Sequence, residues 1–162
     1  MNNRKRKYGF FFMKLGIILF SLTLLFCFFV TVRIVRGNSM YPSVRDGQLI
    51  LISKVSRVFH DSVVLYRTEE GEERIGRVLA DEGETVEIDP KEGIRLNGTD
   101  QYQAIPFPSP PGELAYPYQV PSDSFFLLND YREDTSDSRA IGAVSKDRIT
   151  GVIIFALQYR GF

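Results

Sequence analysis

The chain has 162 residues, 44% of them hydrophobic and 25% charged, with 20 basic and 20 acidic side chains, one cysteine and one histidine. That length suits one ordinary domain and excludes a multidomain assembly. A lone cysteine, Cys27, excludes an intramolecular disulfide and a cysteine-based zinc site, and a lone histidine, His60, disfavours a histidine-rich metal site, so no cofactor or metal is expected. The net charge of zero conceals a segregation: residues 1–36 carry seven basic residues and no acid, which leaves 13 basic against 20 acidic residues further on, a balance of −7. An acidic body argues against nucleic-acid binding, which needs a positive face on the folded part.

The first predicted element is a membrane helix. Leu15 to Val32 is a run of 18 residues without a charge, and Phe10–Met13 extends the apolar stretch behind Lys14. At about 1.5 Å per residue such a helix crosses most of a hydrocarbon layer roughly 30 Å thick. The run ends Phe28-Phe29-Val30-Thr31-Val32-Arg33, without the small-x-small site of a cleavable signal peptide, and Phe26 before Cys27 does not suit lipid attachment. The apolar circumference also fits a retained anchor in the lipid bilayer better than a buried core helix. Arg4 to Lys7 and Lys14 precede the run, against Arg33 and Arg36 after it, so the tail is expected to stay cytoplasmic. The expected division is a basic cytoplasmic tail over 1–12, a transmembrane helix over 13–33 and an extracytoplasmic β domain over 34–162.

Beyond the anchor, long helical periodicity is absent and short β-rich runs recur: Gln48–Ile52, Ser62–Tyr66, Arg74–Leu79, Thr85–Ile88, Ile94–Asn97, Ser124–Leu128 and Gly151–Leu157. Turn chemistry separates them, as in Arg45-Asp46-Gly47, Asp81-Glu82-Gly83, Asp89 to Gly93 and Asn97-Gly98. The stretch Pro106–Pro121 holds six of the eight prolines and predicts an extended surface loop.

Candidate chemistry begins just after the anchor, at Gly37-Asn38-Ser39-Met40-Tyr41-Pro42. A glycine lets another backbone approach, a proline directs the chain's exit, and between them lies a small hydroxyl able to serve as a nucleophile. Most serines beside glycine and proline serve only turns, so this segment alone is weak.

The ordered motifs from Arg36 to Gly151 strengthen it, because together they resemble type I signal peptidases, membrane serine proteases that remove signal peptides from exported proteins. Ser39-Met40-x-Pro42 matches the family's nucleophile motif. Asp46 to Leu51 resembles the next strand motif, with Gln48 where aspartate is usual, and Asp61 to Leu65 resembles the strand after it. Ile75-Gly76-Arg77-Val78-Leu79, ending Gly83-Glu84-Thr85-Val86-Glu87, resembles the box that carries the catalytic lysine. Ile94 to Gly98 resembles a family hairpin, and Asn129 to Arg139, with Gly142 following, resembles the last signature. The resemblance implies a mostly β, coiled-sheet domain on a single anchor. It assigns Ser39 as nucleophile, Asn38, Met40 and Pro42 to peptide binding, and Arg77, Asp130, Arg132, Asp137, Ser138 and Arg139 to a supporting frame.

One departure bears on mechanism. Alignment of Arg77 with the family's arginine puts Gly76 at the general-base lysine. A serine hydroxyl needs a neighbouring base, and a buried lysine serves because desolvation leaves it neutral. Glycine can do neither, and loss of a positioned base costs about 10²–10⁴ in rate. His60, Lys54, Lys91, Lys146, Asp81 and Glu82 offer no convincing substitute, each reading first as a solvated or turn residue. Thr135 replaces the family's usual serine, with its hydroxyl kept, while Asn129 and Tyr131 depart from its glycine and asparagine.

Three readings follow. The first is a pseudo-peptidase that binds exported preproteins, or pilin subunits as dyad-deficient family members of Gram-positive bacteria are associated with, and does not cleave. The second is an active signal peptidase using Ser39, and the third is an unrelated anchored binding module. Gly76 favours the first, the retained Ser39 favours the second, and the ordered motifs oppose the third.

Overall fold

The computed structural model describes residues 3–89, 93–101 and 108–157. Lys91 and the first part of the proline-rich stretch lie outside these residues. Helix α1 (Asn3–Phe29) contains the stretch Tyr8–Phe29, 22 residues with a mean hydropathy of 2.3, long and apolar enough to cross a membrane. Its described apolar side chains stand exposed and do not pack into the body. The helix stops at Phe29, short of the expected end at Arg33, and Val30–Ile34 becomes strand β1. Val30, Thr31, Val32 and Ile34 are β-branched, which favours a pleated strand once a partner is present. That partner is β2 (Leu49–Ser53), paired from Val30↔Ser53 to Ile34↔Leu49.

The remaining elements follow in chain order. They are β3 (Val63–Arg67), β4 (Glu73–Ala80), β5 (Thr85–Asp89), β6 (Gly93–Leu96), β7 (Thr99–Asp100), β8 (Tyr118–Gln119), β9 (Ser124–Leu128), the short helix α2 (Ser138–Ile141), β10 (Val144–Ser145) and β11 (Ile149–Leu157). All seven predicted runs are strands, and the fold is mostly β as expected. The strands form two antiparallel sheets, one ordered β1-β2-β11-β3-β4-β9-β10 and one ordered β7-β6-β5-β8. The larger sheet curls strongly. Three strands separate β1 from β4, yet Arg33 on β1 reaches Glu73 on β4 at 3.7 Å.

Strand β9 is buried along its whole length, so it reads as a continuous apolar run and not as an alternation. Phe126 and Leu128 join Val86, Ile94 and Val120 in one cluster, while Phe125 and Leu127 join Val64, Tyr66 and Val78 in a second. A third cluster holds Val35, Met40, Val44, Ile50, Ile52 and Leu65. It underlies the segment that carries Ser39.

Candidate active site

Ser39 lies half-buried in an open groove of about 1060 Å³. One wall is Val32 to Asn38, running along β1 and beyond it; the other includes Glu72 to Ile75 at the start of β4, with Asn129, Asp134 and Ser136 closing one side. Leu65 and Ile50 contribute from β3 and β2.

Local bonds hold the serine segment. The Gly37 amide donates to Asp46 Oδ1 at 2.7 Å, and the Asp46 amide donates to Asn38 Oδ1 at 3.3 Å. Gly37 has φ +85, a left-handed conformation that a side chain would strain. The Ser39 carbonyl accepts a 2.9 Å bond from the Tyr131 amide, which fastens the serine to the last signature. Of the three residues assigned to peptide binding, Asn38 lines the groove. Met40 is only 1% exposed and packs into the third cluster, and Pro42 is half-buried outside the lining.

Gly76 lies on the other face of β4 from its neighbour. Successive residues of a strand point to opposite faces, so Ile75 lines the groove while Gly76 turns to the second cluster. A Cβ at position 76 would stand 3.2 Å from Leu127 Cβ and 3.3 Å from Tyr66 Cε1. Tyr66 is fully buried, and its hydroxyl has no hydrogen-bond partner among the described residues. Burial first, then the charge of Asp137, pushes its phenol up to about 12.

The residues assigned to the frame form two separate ion pairs. Arg77 grips Asp130 through two bonds, Nε to Oδ1 at 2.7 Å and Nη2 to Oδ2 at 2.6 Å, and also donates to the Asp61 carbonyl and Ser43 Oγ. The bond to Asp130 raises the Arg77 pKa further above its already high value. Arg139 and Asp137, both fully buried, form a second two-bond pair at 2.8 and 2.6 Å. Asp137 also caps α2 by accepting from the Arg139 amide and takes a bond from the Asn129 amide, while Ser138 Oγ accepts from the Leu127 amide. Arg139 reaches the carbonyls of Arg132, Asp134 and Pro110. The described part of the proline-rich stretch is thereby tied to the frame. Arg132 is buried with Nε and Nη1 unpartnered among the described residues, and desolvation lowers its pKa to about 10.

The proposed substitutes for a base lie elsewhere. His60 sits between the Leu79 carbonyl and the Glu84 carboxylate, each 3.1 Å away. Lys146 pairs with Asp81 and Glu82 at 3.2 and 3.1 Å, and Lys54 is exposed beside the helix end, its amide bonded to the Phe29 carbonyl. None of them lines the groove. The groove's own carboxylates are engaged: Glu72 with Arg74, Glu73 with Arg33 and Arg67, and Asp134 with the Ser136 hydroxyl. Among the described residues no group of three or more metal-ligating side chains gathers. Sequence reasoning missed Arg74, whose Nη1 bonds the Ser136 carbonyl at 3.0 Å, and Tyr66. Their only signal was strand alternation, which needs the register to be useful.

The chain matches the family described as Signal peptidase, peptidase S26, over residues 8–158. Signal peptidase IB of Staphylococcus aureus strain Mu50 is 25% identical over 153 residues, covering 79% of this chain and 78% of that protein. The probable signal peptidase I-1 of Synechocystis sp. PCC 6803 is 30% identical over 148 residues, covering 83% and 74%. A crystal structure of a signal peptidase I from Enterococcus faecalis V583 superposes with a TM-score of 0.52 at 20% identity, covering 60% of this chain and 97% of that one.

Proposed function

The chain belongs to the type I signal peptidase family, and from that premise we propose that it receives exported preproteins in the Ser39 groove without cleaving them efficiently. Two strand edges support the receiving half. β1 is an edge strand of the large sheet, and β4 from Glu73 to Gly76 pairs only with β3, because its contact with β9 starts at Arg77. Backbone groups left free along such edges suit an extended peptide added as a strand. Both edges border the groove.

The observation that carries the non-cleaving half is Gly76. Position 76 aligns with the family's general-base lysine, and glycine has no group to take the proton of the Ser39 hydroxyl. Among the described residues no side chain is hydrogen-bonded to that hydroxyl. In this reading the apolar stretch of α1 spans the membrane, the basic tail over 1–12 stays cytoplasmic, and the β domain holds clients, including pilin subunits, at the outer surface.

Ser39 itself favours the second reading, slow but real proteolysis. A preprotein cleavage assay in detergent separates the two. Wild type and Ser39→Ala are expected to show the same trace turnover, with the preprotein still crosslinking to groove residues. Robust wild-type cleavage that disappears in Ser39→Ala would sink the non-cleaving reading.

A further inference from the structure

We propose that the groove selects clients by an acidic side chain, which Arg33 takes in exchange for Glu73 when an extended peptide lies between β1 and β4. The inference deepens the receiving function proposed above and rests on it.

Backbone bonding leaves a place for such a peptide. The Val35 amide donates to the Gln48 carbonyl and the Val35 carbonyl accepts from the Gly47 amide, so Val35 faces β2. Strand alternation then turns the backbone groups of Ile34 to the open edge. On the other wall the Glu72 carbonyl accepts from the Thr68 amide, which turns the backbone of Glu73 to the open edge of β4.

The side chains between these edges are apolar in the middle and charged at one end. Arg33 pairs with Ile50, Ile75 with Leu65, and Glu73 with Arg67, and paired residues share a face. Ile50 and Leu65 belong to the third cluster and Ile75 packs on it, so Arg33 and Glu73 stand on that same face, one from each wall. Their ion pair, 3.7 Å long, spans the gap that a peptide would fill.

An entering strand treats the two partners unequally. The client residue opposite Arg33 projects on the same face and rises between the two charges. Glu73 keeps Arg67, its ladder partner, at 3.5 Å, whereas Arg33 has no second carboxylate among the described residues. Arg36, also on the β1 wall, has no ion-pair partner among the described residues. The group left over is therefore a cation with another cation near it in sequence. A client Asp or Glu restores the pairing; a client Lys adds a third positive charge. The remaining acids of the lining are already engaged, Glu72 by Arg74 and Asp134 by the Ser136 hydroxyl. Arg33 and Glu73 are 51% and 36% exposed, and an ion pair so exposed is weak enough to exchange readily.

Photocrosslinking of the detergent-solubilised full chain to synthetic alanine-rich peptides tests the selection. Each peptide carries one benzoylphenylalanine, and Asp, Ala or Lys is moved through the other positions. At one position Asp should raise capture about tenfold over Lys, with Ala between them. The difference should fade in high salt. The overall field of the domain cannot produce that order, because 13 basic against 20 acidic residues from Gly37 onward attract a basic peptide. Arg33→Glu combined with Arg36→Glu should reverse the order, and neither arginine is buried, so the core is left intact. Glu73→Gln should preserve it. Equal or better capture of the Lys peptides at every position, or an Asp preference untouched by the charge reversal, overturns the inference and leaves the receiving function standing. Capture of no peptide at all, the alanine one included, refutes the receiving function and the inference with it.

Discussion

Arg77 and Asp130 face each other through two charge-assisted bonds of 2.7 and 2.6 Å, with the carboxylate fully buried. Breaking such a pair from one side is costly because it strands a charge in a poorly solvated place, typically by about 3–5 kcal/mol. Arg77 keeps 21% of its side chain exposed, so the lower end applies. Asp130→Asn is expected to lose about 3 kcal/mol in chemical denaturation of the detergent-solubilised protein. A loss under about 1 kcal/mol would show that the pair is ornamental to the frame.

A second expectation concerns alkaline pH. The Tyr66 phenol is raised from 10.0 to about 12, mainly by burial, so the folded state holds its proton more tightly than the unfolded chain. The stability this contributes is complete below pH 10 and is lost as pH climbs towards 12. Tyr116, also raised to about 12 by burial, adds to the same decline. Tyr66→Phe removes an unpartnered buried hydroxyl and should stabilise the neutral-pH protein by about 1–3 kcal/mol while flattening part of the alkaline loss. A destabilised Tyr66→Phe protein would mean that the hydroxyl has a partner in solution.

The third expectation is topological. Basic residues cluster before the apolar helix, and a reporter fused after residue 162 should be active outside the cell. Activity of that fusion in the cytoplasm would reverse the proposed orientation and remove exported preproteins as clients.

Much of the fold was legible in the chain. Every predicted β run became a strand, because alternation and turn residues are local signals. The misses have physical causes. Val30–Ile34 continues the apolar run of the helix, and periodicity cannot separate a strand from a helix inside an unbroken apolar stretch. Strands β7, β8 and β10 have two residues each and carry no period at all. Helix α2 exists because Asp137 caps it, a bond visible only once the loop is folded.

At the candidate site the division is sharper. Motif order singled out Ser39, Gly76 and the charged residues of the last signature as candidates. Which charge meets which was settled by folding: Arg77 finds Asp130, 53 positions away, while Arg139 turns back on Asp137. Residue type and local order are written along the chain, and they were enough for family and fold class. The facing of Tyr66 onto Gly76 and the meeting of β1 with β4 across a groove depend on strand register and sheet curl. Those arise from packing between distant segments, and no local pattern encodes them.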